Sequence, residues 1–132
     1  VSSRFTIFFC HSYDVSLPLD VFYKVVEIFQ ERLKGKTVRT CGIGHLGDGN
    51  LHLNITTREY DEEVKSLIEP YLYEVTAKYK GSISAEHGMG SKKKNFISYS
   101  KSDSAISLMR NLKEVMDPKG ILNPYKVLPD KF

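Results

Sequence analysis

The pattern of apolar residues predicts a single domain of the α+β or α/β class, because helical and strand-like stretches alternate along the chain. Apolar side chains recur at helical spacing in three stretches, and short alternating or β-branched runs separate these stretches. A length of 132 residues fits one domain or part of a larger one. The hydrophobic fraction of 41% and the charged fraction of 27% are typical of a chain that folds around a core.

Composition excludes several classes of protein. No apolar run approaches the roughly 20 residues that span a membrane, so we do not expect an integral membrane protein. A net charge of +3 is too small to indicate a nucleic-acid partner. The two cysteines, Cys10 and Cys41, do not make a disulfide framework, and a reducing compartment is the simpler interpretation.

The first half of the chain predicts one helix between strands. Residues 5–10 are rich in aromatic and β-branched side chains, which favours a short buried strand. Helical periodicity then runs from about Ser16, and Gly35 is a typical helix terminator. Residues 37–44 and 51–57 are extended stretches on either side of a glycine-rich turn.

The second half predicts two further helices. Pro70 lies within the first of them and should kink it or split it in two, and Gly81 ends it. Residues 82–84 are extended. Ser102 fits the N-cap of the last helix, which residues 117–120 end. The predicted buried side of that helix consists of Ile106, Met109, Leu112 and Met116.

The most informative stretch is a hairpin centred on Asp48-Gly49, a dipeptide typical of two-residue type I′ turns. With this turn, His45 lies directly opposite His52 on the next strand, and the Cβ atoms of opposed residues are about 5 Å apart. Asn54 lies two residues beyond His52 and shares its face, since strand side chains alternate. The other face of the hairpin is apolar and consists of Leu51, Leu53 and Ile55.

Two opposed imidazoles can bind one metal ion, and Glu86 is a candidate third ligand. A set of two histidines and one glutamate leaves a coordination position open, which is typical of catalytic metal sites. His87 follows Glu86 directly and is a candidate general base, since histidine titrates near neutral pH. The alternatives stay open: paired histidines are often ordinary half-buried side chains, and Glu86-His87 could begin a solvated helix.

Two other motifs need an interpretation. Residues 42–47 match the G-x-G-x-x-G pattern of dinucleotide-binding folds. That fingerprint requires a helix directly after the glycines, whereas a strand follows here, so we reject a Rossmann fold. Residues 92–94 are three consecutive lysines, which form either a solvated surface or a positive site for an acidic substrate or a cofactor phosphate.

Three motifs in this order resemble the C-terminal part of FAD-linked 2-hydroxy-acid dehydrogenases: GHLGDGNLHLN at residues 44–54, SAEHGMG at 84–90 and DPKGILNPYK at 117–126. The resemblance extends from Tyr13 to about Pro129, which is most of the chain. It implies the α+β class, as the second half of a ferredoxin-like cap or substrate domain with a helical tail.

The same resemblance assigns roles to the site residues. His45, His52 and Glu86 would be zinc ligands. Asn54 and His87 would contact a small 2-hydroxy-acid substrate, and His87 would accept its hydroxyl proton. Zinc would bind the hydroxyl and carboxylate oxygens of the substrate and orient its C2 atom toward a flavin.

The resemblance also implies a second cofactor and a protein partner. The C2 hydride would pass to FAD, with Asn123 near the flavin ring, and electrons would leave to an electron-transfer flavoprotein in the mitochondrial matrix. The sequence of residues 46–54 favours oxidation of D-2-hydroxyglutarate to 2-oxoglutarate over the D-lactate and glycolate chemistry of related enzymes. A non-catalytic metal-binding fragment is the alternative from a different class.

Two departures from the family pattern bear on activity. Residues 1–12 do not resemble the family, and Ser12 takes the place of a lysine that binds substrate there. The flavin domain of the family precedes the region that residues 13–132 resemble. We therefore expect a partial C-terminal domain at residues 13–132, with FAD bound mainly outside it. We expect neither FAD binding nor dehydrogenase activity from this chain alone.

Overall fold

The computed structural model describes residues 7–130, which form one sheet, four α-helices and a 3-10 helix. The elements in chain order are β1 (Phe9–Ser16), α1 (Phe22–Arg32), β2 (Arg39–His45), β3 (Asn50–Thr57), α2 (Glu62–Ile68), α3 (Tyr71–Lys78), the 3-10 helix (Lys94–Tyr99) and α4 (Asp103–Met116).

The sheet has three antiparallel strands in the order β1-β3-β2. β3 lies in the centre and pairs with β1 on one side and with β2 on the other. Antiparallel strands combined with helices are the α+β class, so that prediction is confirmed. The α/β alternative requires parallel strands and does not apply to this sheet.

The hydrophobic core lies on one face of the sheet. Leu51, Leu53 and Ile55 of β3 are fully buried, as the sequence predicted. They belong to one cluster with the inward-facing residues of the helices, and full burial of each such side chain contributes roughly 1.5–3 kcal/mol. The helical members of this cluster are Val25, Val26, Phe29, Val64, Ile68, Leu72, Tyr73 and Val75.

Strand β1 runs later than the sequence predicted. The strand expected at residues 5–10 overlaps β1 only at its end, and residues 5 and 6 lie outside the described part of the chain. Tyr13 and Val15 of β1 enter the core, whereas Asp14 between them lies on the opposite face. Because polar residues alternate with the inward-facing ones, this strand is difficult to recognise from the sequence. In the structure, hydrogen-bonded pairing with β3 defines it.

The loop between β2 and β3 is longer than predicted. His45 pairs with Asn50 and not with His52, so the two histidines are diagonal neighbours. Gly49 has a positive φ of +69°, but Asp48 does not. A type I′ turn needs positive φ at both central residues, so the predicted turn does not form here. The pairing is displaced by two residues, and an even displacement preserves the face on which each side chain lies. His45 and His52 therefore still share one face of the sheet.

Two predictions about the helices are confirmed. Pro70 lies between α2 and α3 and so divides the second helical stretch in two. Ser102 caps α4, because its hydroxyl oxygen accepts a hydrogen bond from the Ala105 backbone N–H at 3.3 Å. Both features follow from local backbone chemistry, which a sequence reveals directly.

The predicted buried side of α4 is wrong. No residue of α4 is buried, and Leu112 and Met116 are 53% and 78% exposed. Ile106 and Met109 are half-buried. The spacing of apolar residues shows which face of a helix can pack, but it does not show whether another element lies against that face.

Two expectations from composition can be compared with the structure. Cys10 and Cys41 are both free thiols, in agreement with the absence of a disulfide framework. Within residues 7–130, no helix combines the length and the apolar character that crossing a membrane would require.

Candidate functional site

The polar face of the sheet carries the candidate site. Asp14 on β1 and His52 on β3 are paired neighbours, and the side chains of paired residues lie on the same face. Residues 84–87 lie against this face, where the carboxylate of Asp14 accepts hydrogen bonds from the Ser84 hydroxyl and from the backbone of residues 85–87. This contact brings Glu86 and His87 to His52, so four residues from three distant segments of the chain converge where β1 and β3 run side by side.

The Asp14 side chain is almost fully buried, and it organises the neighbouring loop. Its Oδ2 atom accepts hydrogen bonds from the backbone N–H groups of Ala85 at 2.9 Å, Glu86 at 3.0 Å and His87 at 2.9 Å. The Ser84 hydroxyl donates a fourth, at 3.3 Å. Burial alone would raise the pKa of Asp14, but the three backbone donors stabilise the anion and hold the pKa below its ordinary value.

His52, Glu86 and His87 lie within reach of one small ligand. Glu86 Oε1 is 3.0 Å from His52 Nε2 and 3.8 Å from His87 Nε2. The rings of His52 and His87 stack, with centroids 5.2 Å apart. One potential ligand atom from each of these residues and from Asp14 lies within 4.8 Å of all the others. Imidazole nitrogens and carboxylate oxygens at this spacing fit a divalent cation such as zinc.

His45 lies at the margin of this cluster. The centroid of its exposed ring is 5.8 Å from that of His52, and the two rings meet edge to face. It is not one of the four residues whose ligand atoms converge. The displaced pairing of the hairpin explains this position, because His45 lies beside Asn50 and diagonal to His52. Of the predicted ligands, the structure thus brings together His52 and Glu86 and places His45 next to them.

Asn54 lies on the same face of β3, two residues beyond His52. Its side chain is half-buried, and its Oδ1 atom accepts a long hydrogen bond from the Cys10 thiol at 3.8 Å. The residue predicted to contact the substrate is therefore on the face that carries the cluster, two residues along β3 from His52.

A cleft of about 400 Å³ opens beside His87. It lies between β1, which contributes Ser12 and Asp14, and the chain from His87 to Lys93. The cleft provides room for a small molecule next to the cluster, and its rim includes two of the three consecutive lysines.

The three lysines have different environments. Lys92 is exposed at the cleft. Lys93 is half-buried, and its ammonium group donates hydrogen bonds to the backbone carbonyls of Asp14 at 3.3 Å and Ile83 at 3.0 Å. Burial lowers the pKa of Lys93 below its ordinary value. Lys94 forms an ion pair of 2.6 Å with a carboxylate of the C-terminal tail. The run is therefore not a uniform solvated surface.

Asn123, which the resemblance places near a flavin ring, lies in a different part of the molecule. It lines a cleft of about 510 Å³ between α4 and the C-terminal tail, beside apolar residues such as Leu112 and Tyr125. The backbone φ of Asn123 is +47°. None of the four clustered residues lines this second cleft.

Asp14 is the site residue that the sequence analysis missed. The predicted strand ended at residue 10 and the predicted helix began at about Ser16, so residues 11–15 had no assigned element. One signal was present, since an acidic residue between the apolar Tyr13 and Val15 on a strand must face away from the core. The register that places Asp14 opposite His52 depends on the pairing of distant strands, which the sequence does not reveal.

Comparison with known proteins gives consistent matches. Residues 8–127 match the family described as FAD linked oxidases, C-terminal domain. The mitochondrial D-2-hydroxyglutarate dehydrogenase of Danio rerio is 52% identical over 124 residues, which are 94% of this chain and 23% of that protein. The corresponding enzyme of Arabidopsis thaliana is 56% identical over 119 residues, 90% of this chain and 21% of that protein.

A relative with a different named substrate also matches. The putative mitochondrial D-lactate dehydrogenase of Schizosaccharomyces pombe is 48% identical over 126 residues, which cover 88% of this chain and 24% of that protein. The chain thus spans less than a quarter of the length of each of these three relatives. The resemblance seen in the three sequence motifs is confirmed by these matches.

Proposed function

The chain belongs to the family of FAD-linked oxidase C-terminal domains, and on this basis we propose that it is the substrate- and metal-binding part of a flavin-dependent dehydrogenase that oxidises D-2-hydroxyglutarate to 2-oxoglutarate. The observation that carries the proposal is the convergence of Asp14, His52, Glu86 and His87 beside an open cleft. The names of the relatives from zebrafish and Arabidopsis support the choice of substrate.

Zinc is the proposed metal, with His45, His52 and Glu86 as its ligands. The contact of 3.0 Å between His52 Nε2 and Glu86 Oε1 supports the last two, because both atoms can face one cation. The exposed ring of His45 on the same face supports a second imidazole ligand. Three ligands of these types leave a position for the substrate, as catalytic zinc sites do.

Two residues of this chain have proposed roles in the reaction besides the metal ligands. When bound, zinc would supply a Lewis acid that polarises the substrate hydroxyl, and FAD would supply the acceptor for the C2 hydride. His87 accepts the hydroxyl proton on Nε2, the atom that lies 3.8 Å from Glu86 Oε1. Asn54 donates from its side-chain amide to the substrate carboxylate, since it shares the face of His52.

A D-lactate dehydrogenase is the second candidate, because one close relative carries that name. D-lactate has one carboxylate, whereas D-2-hydroxyglutarate has two. Lys92 and Lys93 line the cleft beside His87 together with Asp14, so two positive groups face one negative group there, and this excess of positive charge favours the substrate with the additional negative charge. We therefore prefer the dicarboxylate.

Other parts of the enzyme complete this proposal. The relatives are named as mitochondrial proteins, and we propose the same location for this one. FAD is bound mainly by a flavin domain beyond this chain, with Asn123 near the flavin ring. An electron-transfer flavoprotein receives the electrons from the reduced flavin.

A chimeric enzyme tests the proposed function. Residues 13–132 replace the matching C-terminal region of the zebrafish D-2-hydroxyglutarate dehydrogenase, and reduction of an artificial electron acceptor is measured. We expect activity with D-2-hydroxyglutarate that exceeds activity with D-lactate. Glu86→Gln should abolish it, whereas Glu27→Gln, a matched change of an exposed glutamate on α1, should leave it intact.

Each other outcome has a defined meaning. A chimera that shows a normal flavin spectrum but oxidises neither substrate contradicts the proposal and favours the non-catalytic metal-binding fragment. Preference for D-lactate supports the second candidate. Equal activity of the Glu86→Gln and Glu27→Gln variants would remove Glu86 from the site.

A further inference from the structure

We propose that Asp14 is a positioning residue that holds the loop of Glu86 and His87 in place and orients the imidazole of His52. The consequence for metal binding rests on the proposed function, whereas the hold on the loop follows from the contacts of Asp14 itself. This role of Asp14 explains how residues from three separate segments reach one point of the site.

The loop that carries Glu86 and His87 has no regular structure of its own. Residues 84–90 belong to none of the helices or strands of the described chain. Within residues 7–130, the other hydrogen bonds of its backbone lie at its two ends. The Ser82 hydroxyl donates to the Ser84 carbonyl at 2.9 Å and accepts from the Ser84 N–H at 3.5 Å. At the other end, Lys93 N–H donates to the Met89 carbonyl and Val127 N–H donates to the Gly90 carbonyl. The part with the functional side chains therefore depends on Asp14.

The contact between Asp14 and the loop is specific in geometry. Three consecutive backbone N–H groups, of Ala85, Glu86 and His87, reach one oxygen atom at 2.9–3.0 Å. Consecutive N–H groups converge in this way in the anion-binding nests of backbone amides, where the chain curls around an anion. A buried carboxylate is stable only when hydrogen-bond donors such as these compensate its charge. The charge in turn strengthens the hydrogen bonds that hold the loop. One carboxylate thus holds the conformation of residues 85–87.

The second carboxylate oxygen of Asp14 faces His52. This Oδ1 atom is buried and has no hydrogen-bond partner among the described residues. It lies 3.9 Å from His52 Nδ1, which is longer than a hydrogen bond. Because His52 faces Glu86 with its other nitrogen, Nε2, Asp14 lies behind the ring as seen from Glu86. Carboxylates behind a metal-binding histidine orient its ring, so this position favours a positioning role over direct ligation.

Three variants of the 132-residue chain test the inference. Asp14→Ala removes the carboxylate, and Asp14→Asn keeps an oxygen that can accept from the backbone but removes the charge. Val15→Ala is the control, because Val15 is fully buried on the other face of the same strand and contacts the core instead of the loop. The measurements are zinc affinity, hydrogen exchange of individual backbone amides, and the visible spectrum of bound Co²⁺.

The inference predicts distinct effects of these changes. Asp14→Ala should weaken zinc binding by roughly 10- to 100-fold, the usual effect of losing a group that orients a ligand. It should also accelerate exchange at the amides of residues 85–87 more than at those of β3. Asp14→Asn should recover part of both losses. Its Co²⁺ spectrum at saturation should match that of the unchanged chain, because Asp14 is not a ligand.

Several results would overturn the inference. Equal loss of zinc affinity in Asp14→Ala and Val15→Ala would show that Asp14 acts only through overall stability. A changed Co²⁺ spectrum in Asp14→Asn would make Asp14 a ligand. If the unchanged chain binds no metal, the proposed function fails, and the amide exchange then decides alone: selective acceleration at residues 85–87 supports the role of Asp14, and its absence refutes it.

Discussion

His87 carries the chemical step of the proposed reaction. In a full-length enzyme that contains this region, His87→Ala should lower kcat by roughly 10²- to 10⁴-fold, the usual effect of losing a general base. Zinc content should change little, because His87 is not a proposed ligand, whereas His52→Ala should remove zinc and activity together. Steady-state kinetics and metal analysis of both variants check this. A His87→Ala enzyme with near-normal kcat would refute the role.

His45 is the proposed ligand that the structure places at the edge of the cluster. If His45 binds zinc directly, His45→Ala should weaken zinc binding of the chain by more than roughly 10- to 100-fold. That range is what the loss of a group that only orients a ligand would cause. Titration with zinc under competition from a chelator measures the change. Unchanged affinity in His45→Ala would instead favour a site built from the four residues that already converge.

His11 makes folding stability depend on pH. Its side chain is buried on the core side of β1, and burial lowers its pKa; Asp61 and Glu69 act in the opposite sense, and Lys65 adds to the lowering. Below about pH 6.5 the unfolded chain therefore binds a proton that the folded chain does not, so stability falls as pH falls. His11→Phe should flatten this dependence in urea unfolding between pH 7 and 5. Identical pH profiles for the two proteins would contradict the assignment.

At the scale of elements, the loop between β2 and β3 depends on Gly49. Its φ of +69° disfavours any other residue, and an added Cβ would lie 2.2 Å from the Leu17 carbonyl oxygen. Gly49→Ala should therefore destabilise the fold by at least about 1–2 kcal/mol, the cost of a left-handed residue, with the clash in addition. Gly47→Ala is the control, because a Cβ there meets no atom within 4 Å. Equal urea midpoints for both variants would contradict this description of the loop.

The hairpin also shows how far sequence reasoning reaches. Alternation predicted correctly that Leu51 is buried and that His45 and His52 share a face, because side-chain period is a local property. The predicted pairing of β2 with β3 was wrong by two residues, because the conformation of the loop between them depends on the contact of Gly49 with the distant Leu17. Asp14 was missed for a similar reason, because its role depends on contacts 70 or more residues away. Local rules therefore predicted which face a side chain lies on and where a helix is capped. The arrangement of the site depends instead on contacts between distant segments.

At the scale of the whole molecule, one face of the sheet contributes to folding and the other carries the candidate site. One face and the helices form the core, and the other face carries the cluster and the cleft beside it. Substitutions in the cluster should therefore affect metal binding more than stability. Asp14 is the exception, because it is buried and binds the loop backbone.

The chain alone should not act as a dehydrogenase. It spans less than a quarter of the relatives it matches, and in our account FAD is bound mainly outside this region. We expect the purified chain to show no flavin absorbance after incubation with FAD, and no reduction of an artificial acceptor with D-2-hydroxyglutarate. A yellow protein that reduces the acceptor would contradict this expectation.

The most direct test of the central claim is a zinc titration of the 132-residue chain by calorimetry. Our account predicts one zinc ion per chain, with binding lost in His52→Ala and in Glu86→Gln. It also predicts that binding is retained in two matched controls, His11→Phe on the other face of the sheet and Glu27→Gln on α1. A chain that binds no zinc, or four variants that bind it equally well, would contradict the claim that this face of the sheet is a metal and substrate site.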